Sequence, residues 1–477
     1  MRIVLGVARL RFSIPLGAAY VAASLKEAGH DVSLCVFARS PERAIERLAA
    51  DPPDLMAYGL LSGEQGEYLA FHRALTKRVN VPAVWGGPHP SFFPDMIETE
   101  GLDAVCIGEA ENAIVEFADR LAQEKALPAD VRNFWVRDGG GQVVRNPVRP
   151  LEHDLDRLPI PDRGLFIEAH PILNEHGIKH FIAHRGCPHK CTYCFNQYYH
   201  RIYDEHPPTY RSRSPEAVCD EVEQVRAMTR LDMVAFVDDC FTLNHDWLAR
   251  FKDVYPRRVG LPYSCNFRLD NCTADIADLL KASGCKLAYV GIESGDERIR
   301  RLFGRRMTDE TIRTAMRLLN ERGIRTITEN MIGAPGETFP QAMKTLSLNM
   351  DVRPTLANCS IFTPYPGLPL TRYAVAQGYF DGNFDKIGTN YYHGSVLTFA
   401  SEDERNRIVN LRSFFSVLAR HPRFWPLVRP LLGMRPNAVL RWLGDLADGY
   451  YLRKCLPYRQ SPLRFARILA AYLGSYR

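Results

Sequence analysis

Short apolar segments alternate with amphipathic segments along most of the 477 residues, and this alternation limits the fold more than any other feature. Parallel strands need helical crossovers, so such alternation is typical of parallel sheets covered by helices. The first block, residues 1–137, predicts a doubly wound, Rossmann-like α/β domain. Its strands are expected at residues 3–7, 31–37, 55–59, 83–86 and 104–107.

A second block, residues 176–375, contains six strand–helix units. Six such units favour a partial (β/α)6 barrel of the TIM type, with functional loops after the carboxyl ends of its strands. Residues 138–175 are rich in Pro, Asp and Arg and include three consecutive glycines, so we expect a linker there. The barrel strands are expected at residues 179–183, 233–237, 263–267, 287–291, 326–331 and 356–362.

Residues 376–477 are expected to form an α-helical C-terminal cap. Ser401 and Glu404 have the spacing of a capping box, which predicts the start of a helix. Residues 401–477 hold 14 Lys and Arg against 5 Asp and Glu, so this region carries the basic excess of a chain whose net charge is only +5. We expect this region to pack on the barrel or to bind anionic lipid as a peripheral membrane surface.

The remaining composition gives no general case for nucleic-acid binding. The N-terminal residues read as a first strand instead of a secretory signal, and no apolar run reaches about 18 residues. The 12 cysteines suit a reducing compartment. We therefore expect a cytoplasmic protein that is at most peripheral to a membrane.

Three cysteines follow the first strand of the second block, and their C-x3-C-x2-C spacing is the most specific motif in the chain. They are Cys187, Cys191 and Cys194, and their thiolates are soft ligands that suit an iron–sulfur cluster or zinc. Three ligands leave one coordination position open, whereas a structural zinc site normally closes all four. Because His184 or His189 could supply a fourth ligand, a non-catalytic zinc module is the alternative.

Polar groups follow the carboxyl ends of the later strands of this block. Together they offer acceptors for an ammonium group and ribose hydroxyls, a cation for a carboxylate and open backbone for an adenine edge. This combination suits a zwitterionic nucleoside. The residues are Asp238, Asp239, Arg268, Glu293, Ser294, Gly333 and Pro335.

The cysteine loop resembles the signature of the radical S-adenosylmethionine (radical SAM) enzymes. The resemblance implies a [4Fe-4S] cluster on the three cysteines and S-adenosylmethionine (SAM) on the open iron, cleaved there to a 5′-deoxyadenosyl radical. It also implies that Tyr193 faces the adenine, that Arg268 binds the carboxylate, and that Glu293 contacts the ribose and amino-acid part. The other expected SAM contacts are Phe195, Asp238, Asp239, Ser294, Gly333 and Pro335.

The strand ends of the first block resemble the cobalamin-binding domain of the cobalamin-dependent radical SAM enzymes. The Asp-x-His-x-x-Gly motif that supplies an axial histidine in other cobalamin proteins is absent, so no histidine of that motif can coordinate cobalt. The expected cobalamin contacts are Ser62, Gly86, Gly87, His89, Gly108 and Glu109.

This combination of domains is typical of methylation of an unactivated carbon in a small-molecule or lipid-like substrate, with an electron donor such as flavodoxin or ferredoxin. The alternative enzyme is a non-methylating cyclase, oxidase or ring-contraction enzyme acting on a lipid, tetrapyrrole or antibiotic precursor. Cys240 and Cys265, near two strand ends, are candidate catalytic residues as hydrogen-atom donors or second-cluster ligands, although such cysteines more often serve as small buried hydrophobes.

Overall fold

The computed structural model describes residues 1–10, 13–203, 210–387 and 394–457. Two mainly parallel sheets are followed by C-terminal helices. The elements in chain order are β1 (Arg2–Val7), α1 (Leu16–Glu27), β2 (Asp31–Val36), α2 (Pro41–Ala50), β3 (Leu55–Gly59), α3 (Gln65–Thr76), β4 (Ala83–Gly86), α4 (Pro88–Phe92), α5 (Met96–Thr99), β5 (Ala104–Cys106), α6 (Glu111–Glu124), β6 (Phe134–Arg137), β7 (Val143–Arg145), α7 (Gly164–Ala169), α8 (Ile172–Glu175), β8 (Ile178–Phe181), β9 (His184–Arg185), α9 (Asn196–Ile202), β10 (Arg211–Ser212), α10 (Pro215–Met228), β11 (Met233–Phe236), α11 (His245–Arg258), β12 (Tyr263–Phe267), α12 (Ala274–Ser283), β13 (Cys285–Glu293), α13 (Glu297–Leu302), α14 (Asp309–Glu321), β14 (Arg325–Ile332), α15 (Phe339–Val352), β15 (Leu356–Ile361), α16 (Pro369–Ala376), α17 (Glu402–Arg420), α18 (Trp425–Leu432) and α19 (Ala438–Cys455).

The first sheet has the strand order β2-β1-β3-β4-β5-β6-β7, and its first five strands are parallel. Alternate residues of β1 point to opposite faces: Ile3 and Leu5 pack towards α1 and α6, whereas Val4 packs towards α2 and α3. Helices therefore cover both faces, which confirms the doubly wound α/β prediction.

This sheet continues past the boundary expected at residue 137. Strands β6 and β7 form an antiparallel hairpin that ends at Arg145. The three glycines expected in a linker form its turn, where Asp138 Oδ1 accepts hydrogen bonds from the backbone N–H of Gly140 and Gln142, both at 2.9 Å. Residues 138–145 thus belong to the first sheet.

The second sheet has the order β15-β14-β13-β12-β11-β8 and is parallel throughout. Side chains such as Phe236, Tyr263 and Val290 point outward into a large core shared with helices α10, α11, α12 and α14. The partial (β/α)6 barrel is confirmed, and every expected strand ends within two residues of its observed bounds.

The C-terminal helices pack on the barrel, as the cap prediction proposed. Helix α17 contacts β15 and α15, and α19 lies against α17. The Ser401 hydroxyl accepts the backbone N–H of Glu404 at 3.1 Å, which confirms the helix start. The Glu404 carboxylate, expected to bond back to Ser401, instead accepts the N–H of Phe339 at the start of α15. Within the described ranges, no helix is both long and apolar enough to cross a bilayer.

Candidate active site

A cavity of about 780 Å³ lies between the carboxyl ends of the two sheets, a volume in the upper part of the range for small-molecule sites. One wall comes from the ends of β1, β3, β4 and β5, and the other from residues around β9 and after β11. Leu61 and Val237 are 53% and 40% exposed, and both line this space. The walls thus present apolar surface that a large flat cofactor could cover.

Two glycines bring the backbone of the first wall close to the cavity. Gly87 has φ of +91°, and a Cβ there would lie 2.9 Å from the backbone nitrogen of Leu60. Gly108 has φ of +81°, and a Cβ there would lie 2.0 Å from the Tyr203 hydroxyl oxygen. Only glycine fits both positions without strain.

Four of the six expected cobalamin contacts line this cavity, namely Gly86, Gly87, Gly108 and Glu109. The other two, Ser62 and His89, are not among the lining residues. Instead the Ser62 hydroxyl and His89 Nδ1 form a hydrogen bond of 3.1 Å with each other. Among the described residues of the first domain, no histidine lines the cavity, in keeping with the missing axial-histidine motif.

Glu109 lines the cavity, and its carboxylate forms hydrogen bonds to residues of the barrel. It accepts hydrogen bonds from Arg211 at 2.5 Å and from the Tyr199 hydroxyl at 2.6 Å, and it lies 3.4 Å from Arg185. Burial opposes its ionisation, but the two arginines hold the pKa of Glu109 below its ordinary value. Arg185 also pairs with Glu111 at 2.6 Å. Glu109 therefore joins the two domains beside the cavity.

The three cysteines lie on a loop fixed at several points. Its turn is closed by a hydrogen bond of 3.1 Å from Cys194 N–H to the Cys191 carbonyl. The Thr192 hydroxyl donates to the Leu302 carbonyl at 2.6 Å, and His200 Nε2 lies 2.6 Å from the Cys187 carbonyl. The loop is thus held against both α13 and α9.

Cys187 and Cys191 are buried, and Cys194 is half-buried. Burial raises the pKa of Cys187 to about 12, and the neighbouring Cys194 contributes to the rise. Within the described ranges, no three His, Cys, Asp or Glu side chains converge on a point that could hold a single metal ion. A cubane cluster takes each cysteine on a different iron, so its ligands surround a volume, and a buried loop of three soft donors fits that requirement.

Asp238 has two functions, one for each oxygen. Oδ1 accepts hydrogen bonds from Ala183 N–H at 3.0 Å and from the backbone and ring of His184, which fixes the start of the cysteine loop. Oδ2 is buried with no partner in the structure. Asp239 faces the cavity, where burial raises the pKa of its carboxyl. The unpaired oxygen and the Asp239 carboxylate fit the ammonium group of SAM.

Arg268, expected to bind the carboxylate of SAM, is paired with protein groups in the structure. Its guanidinium forms two hydrogen bonds to Asp270, at 2.9 and 2.6 Å, and donates a third to Cys191 Sγ at 3.2 Å. These contacts use three of the five N–H donors of the guanidinium, the Nε and Nη2 pair on Asp270 and one N–H of Nη1 on Cys191. Arg268 therefore supports a cluster ligand.

Arg305, which the sequence did not suggest, connects two expected SAM contacts. It is buried and donates to Glu293 Oε1 at 2.7 Å, to the Tyr193 hydroxyl oxygen at 3.1 Å and to the Gly291 carbonyl at 3.1 Å. Glu293 itself has φ of +66°, a conformation that a non-glycine residue adopts only under local constraint. This conformation coincides with an irregularity in the pairing of β13 with β14 between Gly291 and Glu293, and Arg305 holds the Glu293 side chain there.

Two further expected SAM contacts lie elsewhere. Ser294 is fully buried, and its hydroxyl lies 3.3 Å from the Thr345 hydroxyl and accepts the Asp296 N–H, so it holds the loop and does not face the cavity. Phe195 stacks on Phe92 of the first domain, with ring centroids 5.1 Å apart. In the structure, Phe195 therefore forms a contact between the first domain and the barrel.

The loop with Gly333 and Pro335 follows β14 at the same end of the sheet as the cysteines. It is fixed by Glu337, whose carboxylate accepts hydrogen bonds from the backbone of Ala334 and Gly333. Burial raises the pKa of Glu337 to about 8. The backbone of this loop is therefore rigid before any ligand binds.

Neither candidate catalytic cysteine faces the cavity. Cys265 is fully buried in the core between the sheet and its helices, 3.9 Å from Cys285 by the two sulfurs. Cys240 is fully buried in the same core, near enough to Cys187 to raise its pKa. Both have the ordinary role of a small buried hydrophobe.

Comparison with known proteins agrees with this division of the chain. Residues 2–118 match the B12 binding domain, and residues 181–348 match the radical SAM superfamily. An uncharacterised methyltransferase of Pyrococcus horikoshii is 28% identical over 385 residues, which cover 76% of this chain and 79% of the relative. The anaerobic magnesium-protoporphyrin IX monomethyl ester cyclase of Rubrivivax gelatinosus is 26% identical over 372 residues, covering 74% of this chain and 64% of the cyclase.

Among solved structures, the radical SAM methyltransferase TsrM of Kitasatospora setae, with cobalamin and a [4Fe-4S] cluster bound, superposes with a TM-score of 0.65. It is 19% identical and covers 79% of this chain and 75% of its own, so the likeness concerns the fold. A B12-binding domain in front of a partial barrel with a three-cysteine loop defines a radical SAM enzyme that uses an iron–sulfur cluster, SAM and cobalamin. The chain belongs to the cobalamin-dependent radical SAM family.

Proposed function

We propose that this enzyme methylates an unactivated carbon of a small-molecule or lipid-like substrate. The observation that carries the proposal is that the glycine-rich wall of the B12-binding domain and the Arg185–Gly186 start of the cysteine loop line the same cavity. A substrate there would contact both cofactor sites at once. Methyl transfer through a radical requires such a shared site.

The chain's own residues would bind and orient the reactants. Cys187, Cys191 and Cys194 would hold the cluster, and Asp238 and Asp239 would accept the ammonium group of SAM. When bound, the cluster supplies the electron that cleaves SAM to a 5′-deoxyadenosyl radical, and cobalamin carries the methyl group. Apolar residues such as Leu61 and Val237 would keep water away from the reacting carbon.

The Rossmann-side contacts of cobalamin are proposed to be the backbone at Gly86, Gly87 and Gly108. Their lack of a side chain allows close approach of a bulky ring system. Similarity to proteins named methyltransferases, in Pyrococcus horikoshii and Kitasatospora setae, supports methylation.

The test is methyl transfer from SAM labelled in its methyl group, with anaerobically reconstituted enzyme and extracts of candidate substrates. We expect label in a product carbon, together with 5′-deoxyadenosine and S-adenosylhomocysteine. A variant with all three cysteines changed to alanine should form no 5′-deoxyadenosine. A product with an unchanged carbon count would contradict methylation.

The second candidate is a non-methylating cyclase, oxidase or ring-contraction enzyme. The similarity to the Rubrivivax gelatinosus cyclase favours it, although this chain spans only 64% of the length of that relative. The same assay separates the two, since 5′-deoxyadenosine without S-adenosylhomocysteine would favour the second candidate.

We also propose a low-potential electron donor such as flavodoxin or ferredoxin, and a cytoplasmic location. None of the twelve cysteines, all of which lie in the described residues, forms a disulfide, and this suits a reducing compartment. Reduction of the cluster by a purified flavodoxin system, followed by its electron paramagnetic resonance signal, tests the donor.

A further inference from the structure

Large apolar side chains are exposed on the C-terminal helices. Of the 14 large hydrophobic side chains that are exposed in the described residues, nine lie between Phe424 and Leu452. The most exposed are Leu427, Val439 and Trp442, at 68%, 64% and 60%. Two of the other five, Leu61 and Val237, line the cofactor cavity. Such a local concentration of apolar surface usually marks an interaction site.

On α19 these side chains form one continuous face, which we call the outer stripe: Val439, Trp442, Leu443, Leu446 and Tyr450. Their spacing of three or four residues places them on one side of the helix. From Val439 to Tyr450 the outer stripe is about 17 Å long. It is therefore a structural feature of the whole helix.

The opposite face of α19 already has its partner. Leu440 and Gly444 face α17, and a Cβ at Gly444 would lie 2.4 Å from the Ser413 carbonyl oxygen. Tyr451 and Cys455 pack with strand residues at the amino end of the barrel. Packing among the residues that the structure describes thus explains the inner face but not the outer stripe.

Basic residues surround the outer stripe. Arg429 and Arg435 are exposed before α19, and Lys454 at its end lies 4.4 Å from the centre of the Tyr450 ring. The two acids of the helix, Asp445 and Asp448, lie 3.3 Å from the buried Arg412, which offsets one of their two charges. Residues 421–455 hold six Lys and Arg against these two acids, so the charge of α18, α19 and their connection is positive.

We infer that α18 and α19 dock on an anionic lipid bilayer, with the outer stripe in the interface and the basic residues on lipid phosphates. Aliphatic residues flanked by Trp, Tyr and Arg match the chemistry of that interface. Each basic residue near an anionic surface adds to the attraction. Docking of another protein or of a second copy of this chain would not by itself explain why basic residues surround the outer stripe. The inference goes beyond the proposed reaction and does not depend on it.

The test is co-sedimentation of the full chain with vesicles of phosphatidylcholine alone and of phosphatidylcholine mixed with phosphatidylglycerol. We expect binding only to the mixed vesicles, and weaker binding as salt is added. The double variant Trp442→Glu with Leu446→Glu should bind the mixed vesicles at least about tenfold more weakly than the parent chain, because two large apolar contacts are lost. Arg435→Gln with Lys454→Gln should weaken binding and reduce its salt dependence.

Val375→Glu is the matched control, since Val375 is 43% exposed on α16, away from these helices. It should bind mixed vesicles like the parent chain. Unchanged iron content and thermal unfolding of each variant show that it is folded. The inference is overturned if the full chain does not bind mixed vesicles, or if the double variant binds them as well as the parent chain does. A dimer that the double variant dissociates in the absence of lipid would also overturn it, since a second copy would then cover the stripe.

Discussion

Arg268 is held in place by a residue two positions away. The paired carboxylate of Asp270 orients the guanidinium so that a third of its five N–H groups reaches Cys191 Sγ. Hydrogen bonds to the sulfurs of an iron–sulfur cluster raise its reduction potential, because they stabilise the added negative charge.

Arg268→Lys should therefore make the reduction potential of the bound cluster more negative. Lysine lacks the planar fork that bonds Asp270 and the sulfur together. The measurement is a redox titration followed by electron paramagnetic resonance, with iron content confirmed beforehand. Arg313→Lys, in an exposed pair with Asp351, is the control and should leave the potential unchanged. An unchanged potential in Arg268→Lys would show that the hydrogen bond has no effect.

The raised pKa of Glu337 predicts how the stability of the folded chain changes with pH. Its pKa is raised from 4.5 to about 8 in the folded chain, so the folded state keeps a proton that the unfolded state releases. Its contribution to stability is complete below the unfolded pKa and is lost as the pH rises through the folded pKa, a change on the order of 5 kcal/mol.

Glu337→Gln should flatten the fall in stability between about pH 5 and about pH 8, as measured by urea unfolding. Glu329, whose pKa burial raises to about 7, should preserve part of the dependence. Glu402→Gln, on the exposed first turn of α17, is the control and should reproduce the parent profile. An equal slope in Glu337→Gln and the parent would contradict the assignment of a protonated Glu337.

At the scale of single residues, the sequence predicted the role of a residue where that role depends on its neighbours in the chain. The three cysteines and the glycines at the strand ends are of this kind. Arg305 could not be found, because it links Glu293 to Tyr193, which is 112 residues away, and a hydrogen bond between distant segments leaves no periodic signal. The pairing of Arg268 with Asp270 could have been predicted, since a single residue separates them in the chain.

At the scale of elements, the packing of α19 on α17 depends on one glycine. A Cβ at Gly444 would collide with the backbone of Ser413, whereas a Cβ at Gly449, five residues later in the same helix, would meet nothing within 4 Å. The two positions form a matched pair.

Gly444→Ala should separate the two helices and lower stability by roughly 2 kcal/mol, since overpacking costs about 1–3 kcal/mol. Gly449→Ala should raise stability by up to about 1 kcal/mol, because alanine favours the helix. Thermal unfolding of both variants measures the difference. Equal effects would contradict the close approach of α17 and α19.

The strands were predictable because parallel strands buried on both faces are apolar throughout. The hairpin of β6 and β7 was not predicted, because its two short strands enclose a glycine run that also suits a linker. The turn is ordered by Asp138, whose side chain binds two backbone N–H groups. A single Asp before a run of glycines is too weak a signal to distinguish a hairpin turn from a linker.

At the scale of the whole molecule, buried ion pairs hold the two domains together. Glu109 and Glu111 of the first domain bind Arg185 and Arg211 beside the cysteine loop. Removing one charge from such a network leaves its partners unsatisfied.

Glu109→Gln should lower stability by roughly 3 kcal/mol and weaken cobalamin retention, while iron content stays at the parent level. Calorimetry and cobalamin absorbance after gel filtration measure the two effects. Glu100→Gln, in the exposed pair with Arg73, should cost less than about 1 kcal/mol. Full cobalamin retention with parent stability would exclude a domain-joining role for Glu109.

Both domains were predictable separately, since each has its own alternation of strands and helices. Their relative placement was not, because it depends on contacts such as Phe92 with Phe195 and Glu109 with Arg211, between residues about 100 positions apart. The cavity is therefore visible only in the structure, although Gly86, Gly87 and Gly108 were expected to line a ligand site.

The central claim is that cobalamin occupies this cavity, and Gly59 allows a direct measurement. Gly59 lines the cavity and has open space for a Cβ, so Gly59→Phe should fill the site without a clash in the fold. Gly66→Phe, which also has open space but does not line the cavity, is the matched control. Cobalamin, iron and sulfide per chain are measured together after anaerobic reconstitution. We predict about one cobalamin per chain in the parent and in Gly66→Phe, none in Gly59→Phe, and about four iron and four sulfide in all three. Equal cobalamin in Gly59→Phe and the parent, or none in the parent, would contradict the account.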